Sequence, residues 1–251
     1  MRHLSLPVAT LGLVLTSSCV FGSTLTLERV VSTSAITHPI QVGAPQGDSE
    51  RLFILDRQKG EIVIQNQADG SILPTPFFKL PATLFAEGVP TQNAFSFAFS
   101  PDFSQSGKLY VSFVDKSDDL QVVEVTVSET NPNLADPASL RQILKVPYTP
   151  VGPGTHFGAD VDFGPDGYLY ITTGDSDAAF GDVQSQNLDS LQGKVLRIDP
   201  TADAFPDDLD NNFTPAPGNP FSGDTTEITD AIWARGLRNP FQASFDPVTG
   251  A

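Results

Sequence analysis

Residues 163–171 read Phe-Gly-Pro-Asp-Gly-Tyr-Leu-Tyr-Ile, and this stretch decides the fold. Pro165 presets a tight turn, Asp166 caps it, and Gly167 accepts the positive φ that such turns require. Alternating apolar residues resume at Tyr168, as they do in the returning strand of a hairpin. The stretch therefore predicts a strand, a tight turn and a second strand.

This phrase recurs along the chain. Residues 99–102 read Phe-Ser-Pro-Asp and lead to another apolar alternation, and residues 245–250, Phe-Asp-Pro-Val-Thr-Gly, begin a third copy. The copies lie farther apart than the roughly 40–50 residues of a compact blade. We place the additional residues in loops at residues 178–192 and 201–229. Repeated hairpins indicate radial or solenoid repetition. We therefore expect an all-β chain folded as a β-propeller, with a large β-sandwich as the alternative.

Other stretches also match the strand pattern. Residues 51–64 form a hairpin around a Gln-Lys-Gly turn, and residues 120–127 and 194–198 are rich in β-branched side chains. The 20 glycines and 21 prolines favour short strands joined by turns over long helices. Helical periodicity is weak, and a short helical turn at residues 137–142 is the most that we expect.

Composition limits the classes of partner. The chain has 251 residues, enough for one substantial domain, and a formal net charge of −16. The sequence contains no run of lysine and arginine, which argues against a nucleic-acid partner. After the first segment, no apolar run reaches the length of a membrane span.

The first 22 residues have the layout of a secretory signal peptide. Arg2 and His3 give a basic start, residues 4–15 are mostly apolar, and small residues follow up to Gly22. We expect cleavage after Gly22 and export of a single domain, residues 23–251, to the periplasm or the outside of the cell. Cys19 is the one cysteine, and lipid attachment to it is the alternative.

Three side chains stand out as candidates for catalysis. His156 lies in a glycine-rich loop before a strand, where a general base that works near neutral pH could approach a ligand. Asp175 ends the next strand and could orient His156 or simply cap a turn. Arg238 lies in a β-rich segment where we expect it to be half-buried, and there it could bind an anionic ligand or form an internal ion pair. The other histidine of the exported domain, His38, suits a structural or surface position.

An acidic stretch resembles the start of a calcium-binding loop, but the spacing of its residues does not match such a loop. Asp208, Asp210 and Asn212 match the opening of an EF-hand loop, but Phe213 occupies the glycine position and Asn219 the closing acid position. We therefore predict no metal site from these residues. The sequence also lacks the glycine-rich phosphate loops, the serine-hydrolase elbow and the zinc-protease motif.

Taken together, several segments resemble the soluble glucose/sorbosone dehydrogenase family, also called soluble aldose sugar dehydrogenases. The resemblance covers nearly all of the chain after the expected signal peptide. The segments that carry it most clearly are residues 156–175, 191–199, 219–221 and 232–240, with looser similarity at residues 45–55 and 97–110.

The resemblance implies a fold, a cofactor and roles for five residues. The family forms a six-bladed propeller that holds pyrroloquinoline quinone (PQQ) beside a calcium ion, and a histidine takes the sugar hydroxyl proton while hydride passes to the quinone. By position, His156 would be this base and Asp175 its orienting carboxylate. Arg238 would steady charge over the quinone oxygen and Asn239 would contact the cofactor. Gln92 lies one place from a glutamine that contacts the cofactor in some relatives.

The resemblance also implies further strands beyond residue 251, with the basic residues that hold the quinone and the groups that bind calcium. We therefore expect this chain to be an incomplete set of blades that is inactive alone, while its full-length parent oxidises a sugar and passes electrons to a separate acceptor. The alternative is a non-catalytic extracellular propeller that binds carbohydrate or protein.

Overall fold

A computed structural model of the protein describes residues 36–90, 92–148, 155–176, 184–223, 226–246 and 248–250. The expected signal peptide and Cys19 lie outside these residues. Within the described part the chain forms three antiparallel β-sheets, which confirms the predicted all-β propeller class. The same residues include no helix that is long and apolar enough to cross a membrane.

Each sheet is built from consecutive strands, as in the blades of a propeller. The first contains β1 Pro39–Gly43, β2 Arg51–Asp56, β3 Glu61–Asn66 and β4 Phe78–Lys79. The second contains β5 Ala94–Phe99, β6 Lys108–Val114, β7 Leu120–Ser128 and β8 Asn131–Val146, with the four-residue helix α1 Phe103–Ser106 between β5 and β6. The third contains β9 Gly158–Phe163, β10 Leu169–Thr173 and β11 Lys194–Asp199, and its outer edge is shared by β12 Thr214–Pro215 and β13 Ile232–Arg235. A 3-10 helix, Glu227–Ala231, precedes β13.

The expected helical turn at residues 137–142 is wrong, because this segment belongs to β8. Thr126 of β7 pairs with Asp136 and Glu124 pairs with Arg141, so the residues between them bulge out of the ladder. The Ser139 hydroxyl accepts the Thr126 N–H at 2.8 Å and bridges the bulge. A bulge in an outermost strand tolerates proline and resembles a turn in sequence.

The apolar core lies in two layers between neighbouring sheets. Along β6, Leu109, Val111 and Phe113 point toward the first sheet, whereas Tyr110 and Val114 point toward the third. This alternation is the two-residue period of a strand that is buried on both faces. Face-to-face packing therefore fixes the three sheets as successive blades.

We call the first strand of each sheet, β1, β5 and β9, its inner strand. Side chains on β1 and β5 hydrogen-bond the backbone of the next inner strand. Gln41 on β1 donates to the Phe97 carbonyl at 3.0 Å and accepts the Phe97 N–H at 2.6 Å. The Ser96 hydroxyl on β5 bonds the Val161 carbonyl at 3.3 Å and the Val161 N–H at 3.2 Å. We call these contacts rungs. They set neighbouring inner strands in register.

A third rung links β9 to the segment that follows β13. Asp160 is the fifth residue before the proline of its repeated phrase, as Ser96 is in the previous copy. Its carboxylate accepts the Ala243 N–H at 2.7 Å, and burial raises the pKa of Asp160. Residues 240–246 therefore occupy the inner position beside β9.

A buried carboxylate joins three strands of the second sheet. Glu124 is 5% exposed, accepts the Tyr110 hydroxyl at 2.7 Å and the Arg141 guanidinium at 3.1 Å, and pairs with Lys108 at 3.3 Å. Burial acts to raise the pKa of Glu124, but the hydrogen bonds from Arg141 and Tyr110 outweigh it and hold the pKa below its usual value. Ionised Glu124 is thus a stabilising element of this blade.

Glu124→Gln is expected to lower the free energy of unfolding by about 2 kcal/mol at neutral pH, since it removes charge-assisted hydrogen bonds from a buried position. Because the pKa of Glu124 is lower in the folded than in the unfolded state, its stabilisation is present above the unfolded pKa and is lost as pH falls through the folded pKa. Urea denaturation between about pH 7 and about pH 3 should therefore show a weaker acid dependence in the variant. Glu61→Gln, which alters a pair with the exposed Lys79, is the matched control. Equal losses in both variants would contradict this role.

Candidate active site

The hairpin β9–β10 brings His156 and Asp175 together. In its register Gly158 lies opposite Thr173, so the residues just outside these two positions face each other across the open end. The Nδ1 atom of His156 lies 2.8 Å from Oδ1 of Asp175. The His156 side chain is buried, with 9% exposure, and that of Asp175 is 22% exposed. Because a carboxylate only accepts, Nδ1 carries the proton and the basic lone pair is on Nε2.

Gly174 makes this approach possible. A β-carbon at this position would lie 2.0 Å from the His156 carbonyl oxygen, closer than any side chain can come. The Gly174 N–H donates to the Phe157 carbonyl at 2.8 Å, and the Ser176 N–H donates to the His156 carbonyl at 3.2 Å. The backbones on both sides of the histidine–aspartate pair are therefore held together without intervening side chains.

Tyr148 and Gly193 both hold the Gly174 carbonyl, and the sequence did not indicate a role in the site for either residue. The buried Tyr148 hydroxyl donates to the Gly174 carbonyl at 2.9 Å, and the Gly193 N–H donates to the same oxygen at 2.8 Å. Burial raises the pKa of Tyr148, so its hydroxyl stays protonated and remains a donor. Tyr148 follows a strand in an irregular segment, where no sequence pattern distinguishes a supporting hydroxyl from an ordinary core residue.

Arg238 and Asn239 lie on the segment that runs beside this hairpin. The Asp175 N–H donates to the Arg238 carbonyl at 2.9 Å, and the Asn239 side-chain oxygen accepts the Gly158 N–H at 3.1 Å. The sequence suggested a half-buried Arg238, but its side chain is exposed because it lies in the loop that leaves β13. Both residues are thus attached to the backbone that carries His156 and Asp175.

Gln92 occupies the corresponding place one blade earlier. Gln92, His156 and Arg238 are each the ninth residue before the proline of their copy of the repeated phrase. The rungs align the inner strands, and the rings of Phe95 and Phe157 meet at 6.3 Å. The three residues therefore lie at the same end of three neighbouring inner positions.

Gln92 also contributes a buried acceptor at this end. It is 8% exposed, and among the described residues no donor reaches its Oε1. A buried acceptor without a donor costs free energy unless a ligand or water satisfies it. An amide, an oriented imidazole and a guanidinium thus lie at this end of the inner positions, which we call the rim. The donor and acceptor chemistry of these groups suits a planar, anionic quinone.

The remaining candidates lie elsewhere. His38 is exposed, with its Nδ1 atom 3.1 Å from the Thr37 hydroxyl. Asp208 accepts the Asp210 N–H at 2.9 Å and the Asn211 side-chain amide at 2.9 Å within its own loop. In the described part of the chain, no group of three or more histidine, cysteine, aspartate and glutamate side chains is arranged to hold a metal ion.

Comparison with known proteins identifies the family that this chain matches. The profile of the Glucose / Sorbosone dehydrogenase family matches residues 36–251. Aldose sugar dehydrogenase YliI of Escherichia coli is 30% identical over 156 residues, which cover 61% of this chain and 37% of that protein. Mouse Hedgehog-interacting protein is 28% identical over 225 residues, which cover 85% of this chain and 31% of that protein. The chain thus spans about a third of the length of these relatives.

Solved structures show the same fold. The PQQ-bound form of aldose sugar dehydrogenase from Streptomyces coelicolor superposes with a TM-score of 0.63 at 26% identity, over 85% of this chain and 54% of that one. A glucose dehydrogenase from Thermus thermophilus superposes with a TM-score of 0.65 at 27% identity, over 89% of this chain and 57% of that one. The sheets described above thus correspond to blades of propellers in the same family.

Proposed function

Since the chain belongs to the glucose/sorbosone dehydrogenase family, we propose that it contributes the catalytic rim of an exported enzyme that oxidises aldose sugars with PQQ. The observation that carries this proposal is the buried His156–Asp175 pair, with Nδ1 and Oδ1 at 2.8 Å. An oriented imidazole beside an exposed arginine is suited to removing a hydroxyl proton and stabilising negative charge. The binding of PQQ by the Streptomyces relative supports the choice of acceptor.

PQQ, when bound, supplies a two-electron acceptor for hydride. His156 would take the proton of the sugar hydroxyl on Nε2 as the carbon that bears it gives up hydride to that acceptor and becomes a carbonyl. Asp175 would keep Nδ1 protonated and stabilise the imidazolium that results. A separate electron acceptor, as the final recipient of the electrons, belongs to the proposal.

The other rim residues bind and orient. Arg238 would offer a positive charge to a bound quinone, and the amide of Gln92 would offer it an acceptor. Asn239 holds the start of β9 through Gly158 and thereby positions His156. Calcium belongs to the proposal as implied by the family, and export belongs to it as indicated by the signal-peptide layout of residues 1–22.

Titration of the full-length parent of this chain with PQQ, with and without Ca²⁺, tests this function. We expect saturable binding followed by aldose-dependent loss of the quinone absorbance, because the rim provides both base and cation. Asp175→Asn should keep the binding but reduce the rate by about 10²-fold or more, since the imidazole loses its orienting charge. The absence of saturable binding in a protein with a native circular dichroism spectrum would contradict the proposal.

A second candidate is a non-catalytic propeller that binds carbohydrate or protein. The similarity to mouse Hedgehog-interacting protein, which covers 85% of this chain, favours it. This alternative predicts a folded protein that does not bind PQQ but is retained by immobilised carbohydrate or protein. The same titration therefore separates the two candidates.

A further inference from the structure

Lys194 is a buried cation close to the candidate active site that the proposed chemistry does not use. Its side chain has no exposed surface, and its Nζ atom donates to the Gln184 carbonyl at 2.7 Å and the Gln192 carbonyl at 2.6 Å. Its own N–H donates to the Thr173 hydroxyl at 3.0 Å. Lysine is rarely buried so fully, and an ammonium that bonds two backbone carbonyls is tying together the ends of a loop.

The tied loop, residues 184–192, contacts the segment that leads to Arg238. The Ser185 carbonyl accepts the Gly236 N–H at 2.8 Å at the end of β13. At the other end of the loop, Gly193 donates to the Gly174 carbonyl at 2.8 Å and accepts the Leu237 N–H at 3.1 Å. The loop and its anchor thus lie between the backbone that carries Asp175 and the backbone that carries Arg238.

Gly193 has little freedom to shift. Its φ is +69°, and a β-carbon there would lie 2.4 Å from the Ser185 side chain and 2.8 Å from the Leu237 carbonyl. Displacement of the loop would therefore move the backbones on both sides of Gly193. The distance between the histidine–aspartate pair and the arginine depends on how firmly this loop is held.

We propose that Lys194 is a positioning residue: its buried ammonium clamps the carbonyls of Gln184 and Gln192, and the clamped loop fixes Arg238 relative to His156 and Asp175. The clamp follows from the contacts above. Its importance for oxidation of a sugar rests on the proposed function.

The clamp should respond to pH. The described charged group that faces Lys194 from β13 is Arg235, while β10 presents the Thr173 hydroxyl and the loop carries the exposed Asp189. Burial, with a smaller contribution from Arg235, lowers the pKa of Lys194 to about 8. Opening of the clamped loop releases the ammonium to solvent, where its pKa returns to the ordinary value. The open state therefore binds more protons, and opening becomes less favourable as pH rises above about 8.

The effect of Lys194 on global stability has the same sign. Because its pKa is lower in the folded than in the unfolded state, the unfolded state binds more protons between the two values. The contribution of Lys194 to the free energy of unfolding therefore rises with pH over that range. A lysine that stayed buried when the loop opened would change global stability alone, whereas the clamp predicts that local and global stability rise together.

Amide hydrogen exchange of the cofactor-free protein tests the clamp. In Lys194→Met we expect exchange in residues 184–193 and 236–239 to rise about tenfold or more at neutral pH, with little change in β1–β3. In the wild type, protection of the same residues, corrected for intrinsic rates, should rise as pH passes about 8. Lys79→Met is the matched control, because the Lys79 ammonium also bonds two acceptors, Glu61 and Glu87, but is exposed on the first blade.

Unchanged exchange in these segments, both in Lys194→Met and across the pH series, would overturn the proposal. The wild-type pH series needs no substitution, so it decides the question even if the variant does not fold. PQQ titration of the full-length parent and its Lys194→Met variant is read separately: we expect about tenfold weaker binding in Lys194→Met. If the wild type binds no PQQ, the proposed function fails, while the exchange result still decides whether Lys194 holds the loop.

Discussion

Replacing His156 with alanine in the full-length parent is expected to lower the rate of sugar-dependent PQQ reduction by about 10²–10⁴-fold, because the variant lacks the base that removes the hydroxyl proton. PQQ affinity should change little, since Arg238 and Gln92 remain in place. Stopped-flow absorbance of the reduction, together with a binding titration, separates the two quantities. A loss in rate with retained binding places His156 at the proton transfer rather than at cofactor binding.

The matched control is His38→Ala. His38 is exposed and contacts Thr37, so its removal should leave both rate and affinity unchanged. A His156→Ala variant that retains the wild-type rate would eliminate His156 as the base. A variant that loses the fold and the binding together would instead assign His156 to stability.

Replacing Gly174 with alanine is expected to lower the free energy of unfolding by about 3 kcal/mol or more. The added β-carbon would lie 2.0 Å from the His156 carbonyl oxygen and 2.3 Å from its carbonyl carbon. Gly174 cannot move aside cheaply, because its N–H bonds Phe157 and its carbonyl accepts Tyr148 and Gly193. Urea denaturation measures the loss, and cofactor titration of any folded fraction shows whether the site survives.

Gly43→Ala is the control for this substitution. A β-carbon at Gly43 would contact the Phe97 ring at 3.6 Å, an ordinary van der Waals distance, so we expect little change in stability. Neither glycine has a positive φ, so the comparison isolates steric contact from backbone preference. Equal effects of the two substitutions would contradict the importance of close approach at Gly174.

Local turn chemistry predicted the hairpins well. The proline, aspartate and glycine of the repeated phrase fix the turns, and the strands at residues 51–64, 120–127 and 194–198 appear where they were expected. The bulge in β8 was misread, because its proline and small residues have the composition of a turn. Helix α1 was missed because its four residues are too few for helical periodicity to be recognised.

The site was predictable only where a single hairpin builds it. His156 and Asp175 flank β9–β10, so the turn at residues 164–167 brings them together directly. The exposure of Arg238 and the support from Tyr148 depend on contacts between segments distant in sequence. Lys194 appears in the sequence as an ordinary strand residue, because burial of its ammonium is decided by a loop that closes over it.

The rungs have a consequence for how such a protein can change over time. Each contact between blades joins a side chain of one inner strand to the backbone of the next blade. A contact made only to the backbone of the neighbouring blade does not depend on the side chains of that blade. Blades can therefore be duplicated, exchanged or given new loops without redesigning the blade beside them, and the rim can acquire a new ligand while the ring keeps its register.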